Sequence, residues 1–532
     1  MNHRLSLVAL ISFLAIFSCT SGNLTPDVPP QEQPEEKPTE KPEEKPKATE
    51  LTLLFTNDVH SQILPTDLNA SYNANRGGLA RIKVLADSVR TADRAVLLCD
   101  AGDFVQGSCY FTVLGGDVEM MAQKELGYDI KTIGNHEFDK KMTGLYKMLG
   151  LNDIPTVSSN LKFVNTTLAP RIEESRILEL EGLKIGFIGL NVRLAGLVDP
   201  NSCVGVEYEY PLRRAENLAK ELKDKGADMV IALSHLGYAA NSAAKYYDRG
   251  IALNTRNIDM IIGGHSHTFL NRPDYVQNLD GRLVPIVQTG SKGVCLGYMK
   301  VSLNENGTFG WNYRLIPVDK RLDPRIDPVF AGQIEHYSTQ LDRTMGEVLA
   351  QCPVKLRKGF PQGTLSNFTA DAMVEMCETE FGVRPDFALY NNGGIRAEMT
   401  KGNVTRGDIY SIYPFDNKLT LLELEGQVVK SLFEALAKSG GEAISSGVRM
   451  RVKGNALSSL TIGGEEIEAG RVYRLATINY LVDSKNSLGL DNNLFRRESD
   501  SFLYELFSDY VKSLGDRGIP LTASIDERIV IE

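Results

Sequence analysis

Five of the seven histidines lie in short polar motifs placed directly after apolar runs. His60 belongs to LLFTNDVHSQ, His136 to IKTIGNHEFD and His235 to MVIALSHLG, while His265 and His267 share MIIGGHSHT. Asp58, Asp103 (in LLCDAGDFVQG) and Asn135 occupy the same kind of position. Carboxylate, carboxamide and imidazole donors without cysteine suit zinc, manganese or iron rather than a thiolate-loving metal. Each motif alone is weak, because a histidine at a strand end is more often simply hydrogen-bonded than a ligand. The ordered set D-x-H, G-D-x-x-Q, G-N-H-E-F-D, a strand-terminal His and G-H-S-H points to one metal-dependent centre.

The elements that must position these groups follow from the apolar runs. Short runs of β-branched and aliphatic residues read as buried strands. Ligands at the C-terminal ends of several such strands converge on one crevice, where α/β sheets bind. Gly102, Gly134, Gly263 and Gly264 suit sharp turns that aim a ligand inward. From Leu51 onward the chain is too long for a single core, so two domains are expected. A boundary falls at Val318 to Pro328 (VDKRLDPRIDP), followed by a predicted helix over 329–345 with Phe330, Ile334, Tyr337 and Leu341 on one face. The second half mixes helix (LSNFTADAMVEMCETEFG, QVVKSLFEALAKSG) with strand (DFALYNNGG, KLTLLELEG, RVYRLATINYLV).

The N-terminus carries export signals. Arg4 precedes an apolar core, Leu5 to Phe17, that is too short to span a bilayer permanently. Ile16-Phe17-Ser18-Cys19 resembles a bacterial lipobox, which would place a lipidated Cys19 at a membrane surface after a signal peptide over 1–19. Phe17 is bulkier than that motif usually carries, and ordinary secretory cleavage is the alternative. Residues 20–50 form a Pro/Glu/Lys-rich linker that cannot bury a core and favours extended polyproline II. The net charge of −10 and the lack of a basic run argue against a nucleic-acid polymer as partner. No C-x-x-C spacing occurs, so a zinc ribbon or redox motif is not expected.

The order and wording of the motifs resemble the calcineurin-like metallophosphoesterases and, within them, the 5′-nucleotidase family, across essentially the whole chain after the linker. The resemblance implies an α/β fold. An N-terminal four-layer α/β/β/α metallophosphoesterase sandwich would span 51–318, a linker and helix 319–345, and a C-terminal α/β substrate-binding domain 346–532. It implies two divalent metal ions, of Zn, Mn, Fe or Co. One would be held by Asp58, His60, Asp103 and His267, the other by Asp103, Asn135, His235 and His265. Asp103 would bridge them, and Gln106 and Glu137 would hydrogen-bond to the ligands. A metal-bridged hydroxide would attack phosphorus. His136, oriented by Asp139, would aid the leaving group.

In the second domain, Asn391-Asn392-Gly393-Gly394-Ile395-Arg396 matches the family's N-x-G-G-I-R motif, and Tyr413-Pro414-Phe415 its aromatic segment. The resemblance thus implies substrate binding by Asn391, Gly393, Gly394 and Arg396, with Phe415 and Tyr480 stacking on a nucleobase. A hinge is implied near Ile334 to Thr344. Three departures stand out. Gln62 occupies a place where some relatives have Arg. The phosphate-gripping Arg is replaced in Phe360-Pro361-Gln362-Gly363, where Arg357 or Lys358 would have to compensate. The Gly-Asp sugar loop has no counterpart in Ile478-Asn479-Tyr480-Leu481-Val482-Asp483-Ser484-Lys485-Asn486. The expected activity is hydrolysis of nucleoside 5′-monophosphates at the cell envelope. A phosphodiesterase or a nucleoside-diphosphate or UDP-sugar hydrolase stays open, as does a non-catalytic nucleoside-binding lipoprotein. The sequence leaves the oligomeric state open.

Overall fold

The computed structural model describes residues 48–68, 73–164, 166–239, 246–304, 307–484 and 488–532. The leader with Cys19, nearly all of the linker, and Lys485 and Asn486 lie outside the described residues. Among the described residues no helix is long and apolar enough to cross a membrane.

Two six-stranded sheets build the first domain. The first runs, in spatial order, Phe309–Pro317, Cys295–Leu303, Glu50–Thr56, Val96–Asp100, Ile130–Thr132 and Thr156–Val157. The second runs Asp274–Gln277, Leu283–Val287, Met260–Gly263, Met229–His235, Leu183–Asn191 and Ser175–Leu180. Alternation of side chains sends Leu53, Phe55, Leu97 and Cys99 inward against Phe187, Ile231, Leu233 and Ile262 of the facing sheet. Leu54 and Leu98 point outward instead, onto the helices Leu79–Ala92 and Asp117–Leu126. Val230, Ala232 and Ile261 likewise meet Pro211–Asp224 and Asp248–Asn254. The layers are therefore α/β/β/α. Strands buried on both faces read as unbroken apolar runs, which is why every chemical motif follows one.

The linking helix is Pro328–Met345. Asp327 caps it by accepting the Val329 N–H at 2.9 Å, and Pro328 occupies the first helical position. Phe330, Ile334 and Leu341 are buried and Tyr337 packs beside them, against the first domain. Beyond it a five-stranded mixed sheet takes the order Ala443–Ile444, Phe387–Tyr390, Val472–Ile478, Lys418–Glu425, Phe495–Phe502. The helices Thr364–Phe381, Gly426–Ser439 and Leu503–Asp516 share its core. Two strand expectations come out shorter. In RVYRLATINYLV the strand ends at Ile478, and Tyr480 sits in the short helix Asn479–Asp483. The Asn479 carboxamide oxygen accepts the Lys418 N–H at 2.7 Å, replacing the next ladder bond and freeing the backbone to turn. DFALYNNGG extends only to Tyr390, and Asn392–Gly394 close into a 3₁₀ turn.

Candidate metal centre

Five parallel strands deliver the candidate ligands from their C-terminal ends. Asp58 and His60 follow Glu50–Thr56, Asp103 follows Val96–Asp100, and Asn135 follows Ile130–Thr132. His235 closes Met229–His235, and His265 and His267 follow Met260–Gly263. The backbone at these edges is strained. Asp58, His60, Asp103, His265 and His267 adopt φ of 50°, 50°, 54°, 71° and 53°. A non-glycine residue there costs on the order of 1 kcal/mol or more, and such strain clusters at functional sites. Glycine is needed where the loops touch. A Cβ on Gly134 would lie 2.6 Å from His235 Nε2, and one on Gly264 2.8 Å from His235 Nδ1.

The side chains converge in three overlapping groups: Asp58, His60 and His267; Asp103, His235 and His265; and His60, Asp103 and His136. His60 Nε2 lies 2.9 Å from His267 Nε2, and Asp58 Oδ1 lies 3.3 Å from His267 Nε2. Asp103 Oδ2 is 3.0 Å from His235 Nε2 and 4.0 Å from both His60 Nε2 and His136 Nε2. Asn135 Oδ1 meets His265 Nδ1 at 3.0 Å. His136 Nδ1 lies 2.7 Å from Asp139 Oδ2, and Gln106 Nε2 donates to the same oxygen at 2.9 Å. Gln106 therefore orients Asp139 rather than a candidate ligand side chain, although its backbone oxygen holds His60 Nδ1 at 3.0 Å. Glu137 is fully buried and binds two loops together. Its carboxylate accepts the N–H groups of Asp103 (3.1 Å), Phe104 (2.9 Å), Val105 (3.4 Å) and Gly134. Asn57, which carried no signal of its own in the sequence, orients Asp58 by donating to its Oδ2 at 2.6 Å.

The donor set fits a pair of divalent cations. Ala101 O holds His235 Nδ1 at 2.8 Å and Gln106 O holds His60 Nδ1, so both rings can turn a bare Nε2 inward. Buried His235 Nε2 makes no well-aligned hydrogen bond among the described residues, although Asp103 Oδ2 lies 3.0 Å away. Burial, followed by Arg396, keeps the His60 pKa well below the ordinary value. Burial, followed by His235, takes His265 down to about 4. Both are thus neutral and ready to ligate. Burial would raise the Asp103 pKa, but His235, His136 and His60 together hold it well below the carboxylate range. Burial would lower His235, yet Asp103 lifts it to about 10, so an arriving cation must displace a proton there.

The second domain closes over this centre. One cavity of about 310 Å³ is lined by Asp103, Asn135, His136, Asp139, His265 and His267, and from the other side by Asn391, Gly393, Gly394, Arg396, Phe415 and Tyr480. The Phe415 ring lies 5.8 Å from that of His136, and the Arg396 guanidinium sits 5.9 Å from Phe415. Lys140 pairs with Asp416 at 2.7 Å, and Tyr480 Oη donates to Gly196 O at 2.9 Å, tying the two domains at the cavity rim. Lys141, Asp199, Ser202, Asp416 and Asn417 also line the cavity and were not singled out from sequence. Only Lys141 leaves a local trace, its left-handed φ of 62°. Gln62 spends its amide on Leu64 O, and Gln362 donates to Asp526 O and Ile529 O, so neither reaches the centre.

Residues 51–269 match the calcineurin-like phosphoesterase model, and residues 346–488 match the 5′-nucleotidase C-terminal domain. The 5′-nucleotidase of Homo sapiens is 30% identical over 441 residues, covering 76% of this chain and 75% of that protein. The chain belongs to the 5′-nucleotidase family. The Rattus norvegicus 5′-nucleotidase is 27% identical over 525 residues, covering 88% of this chain and 89% of that one. The crystal structure of a 5′-nucleotidase precursor from Thermus thermophilus superposes with a TM-score of 0.80 at 26% identity, over 91% of this chain and 99% of that one. The protein is accordingly a metal-dependent phosphoesterase of the 5′-nucleotidase type, with the two-domain α/β architecture that its motifs imply. Calcineurin-like phosphoesterases use a divalent metal pair, and the clustered Asp and His side chains are its candidate holders here.

Proposed function

We propose that the protein removes the phosphate from nucleoside 5′-monophosphates. The observation that carries this reading is the single cavity in which the Asp/His cluster of one domain faces Asn391, Arg396, Phe415 and Tyr480 of the other. In our reading Asp58, His60, Asp103 and His267 hold one cation, and Asp103, Asn135, His235 and His265 the other. When bound, the pair supplies an activated water and neutralises charge on the phosphoryl oxygens. Arg396 grips those oxygens through its planar fork of donors. Phe415 and Tyr480 receive the base. The buried Asn391 Oδ1, which lacks a partner among the described residues, accepts from the nucleoside. His136 donates its proton to the departing ester oxygen. Burial lowers its pKa, but Asp139 and Asp103 raise it overall, so the ring holds that proton to higher pH than an ordinary imidazole.

The division at 51–318, 319–345 and 346–532, and an envelope location through a lipidated Cys19, belong to the same proposal. Phosphate release from AMP, 2′,3′-cyclic AMP, ADP and UDP-glucose, each with Zn, Mn, Fe or Co, tests it. AMP should be the best substrate. Preference for the cyclic nucleotide or UDP-glucose would replace this reading with the diesterase one, and no turnover with any metal would leave a binding protein.

A further inference from the structure

A second and larger groove, of about 630 Å³, is lined by residues of the first domain alone. His265 lines both it and the cavity at the domain junction, so the two spaces meet at a candidate metal ligand. The groove is built where strands of the second sheet end. Arg193 follows the strand Leu183–Asn191, and Tyr208 closes Val206–Tyr208. Tyr210 and Tyr247 precede and cap the helices Pro211–Asp224 and Asp248–Asn254. With Tyr246 they make four tyrosines in two pairs, Tyr208 and Tyr210 with ring centres 6.0 Å apart, Tyr246 and Tyr247 at 5.0 Å. Tyr210 and Tyr246 are 76% and 54% exposed. Single apolar groups on a surface need no explanation, but four aromatic rings gathered in one concavity beside a reactive centre mark a binding site. Arg193 is the lining residue with a permanent charge, and its planar guanidinium stacks on aromatic faces.

Tyrosine rings and a guanidinium favour a planar occupant, and stacking tolerates any nucleobase. In the reading above, the nucleoside of a monophosphate already lies on Phe415 and Tyr480, across the junction from this groove. A second planar group therefore has to arrive on the other substituent of the attacked phosphorus. We propose that the groove is a second base subsite, and that the enzyme also cleaves dinucleotides joined by a pyrophosphate bridge. This rests on the hydrolytic reading above and widens its substrate class. One nucleoside lies on Phe415 and Tyr480, the other against the four tyrosines and Arg193. A water oxygen bonds to the phosphorus that bears the second nucleoside. The bond from that phosphorus to the bridging oxygen breaks, and its electron pair leaves with the first nucleotide. Two nucleoside monophosphates result, and the protons of the water pass to the products and the solvent. AMP has no group to place in the groove, so its hydrolysis does not depend on the tyrosines.

The experiment measures initial rates on AMP and on diadenosine pyrophosphate with the manganese-loaded full chain, and titrates the methylene-bridged analogue of the dinucleotide by calorimetry. Tyr210→Ala and Tyr246→Ala, both at exposed positions, should each weaken the analogue on the order of tenfold, the loss of one stacked ring. Each should lower kcat/KM for the dinucleotide by a similar factor and leave AMP hydrolysis and bound manganese unchanged. Methylene-bridged ADP, which has the bridge but one nucleoside, should bind wild type and both variants alike. No cleavage of the dinucleotide by a chain that hydrolyses AMP overturns the subsite, as does analogue affinity equal to wild type in both Ala variants. A loss shared equally by methylene-bridged ADP also overturns it, because the centre itself would then be disturbed. A larger loss with UDP-glucose than with the dinucleotide would give the groove to a sugar and overturn the base assignment. Failure to hydrolyse AMP would instead overturn the monophosphate reading, and the calorimetry would still decide the subsite.

Discussion

Replacing Glu137 by Gln perturbs the metal centre without altering a candidate ligand side chain. The carboxylate accepts four backbone N–H groups, two on each oxygen, from the loops that carry Asp103 and Asn135. Burial, followed by Asp103, pushes its pKa up to about 8, and a cation on Asp103 removes that repulsion and favours the ionised acceptor. An amide keeps one oxygen and turns an NH₂ toward the other pair of donors. Two buried N–H groups then lack an acceptor at about 1–3 kcal/mol each, or about 2–6 kcal/mol together. Part of that loss should appear as slackened ligand geometry, weakening metal about 10–100-fold. Manganese titration and denaturant unfolding of both proteins measure it. Glu137→Gln with wild-type manganese affinity and an unchanged unfolding midpoint would refute the reasoning.

Asp139→Asn removes the foremost of the charges that raise the His136 pKa, so His136 should lose its proton at lower pH. A general acid works only while protonated, and the alkaline limb of the kcat/KM profile should therefore move to lower pH. A limb left in place would exclude His136 as the acid. Phe415→Ala should raise KM for AMP by about 10–100-fold, the equivalent of 1–3 kcal/mol of stacking, with kcat little changed. An unchanged KM would mean that the ring only packs. Because Asp103 holds a proton on His235 up to about 10, metal loading near neutrality should release protons, and affinity should fall as pH drops. Calorimetry in buffers of different ionisation enthalpy reads this directly, and no proton release would contradict the assignment of His235 as a ligand.

The sandwich and its edge motifs were legible because sheets buried on both faces leave unbroken apolar runs, and the polar residue ending each run is conspicuous. The linking helix announced itself through the spacing of its apolar face, and Asp327 and Pro328, read as the end of the boundary segment, prove to be its cap and first residue. Tyr480 was misplaced because RVYRLATI continues into residues of good strand propensity, and only the Asn479 side chain, bonded across to Lys418, stops the ladder. Propensity does not encode that tertiary bond. Asn57 orients its own neighbour Asp58, a bond its residue type alone does not announce, and the role of Gln106 depends on Asp139, which is distant in sequence. The cavity residues Asp199 and Ser202 come from the short 3₁₀ turn Pro200–Ser202 and its cap, and Asn417 from a loop; none carries a periodic signal, and only the approach of the two domains gathers them.

Crystals of the full chain grown with manganese, measured at an anomalous wavelength, test the central claim most directly. The account predicts two anomalous peaks per chain flanking the Asp103 carboxylate. One should be within bonding reach of Asp58, His60 and His267, the other of Asn135, His235 and His265, and both should vanish in Asp103→Ala together with turnover. A single peak, or metal held elsewhere with these side chains turned apart, would contradict it.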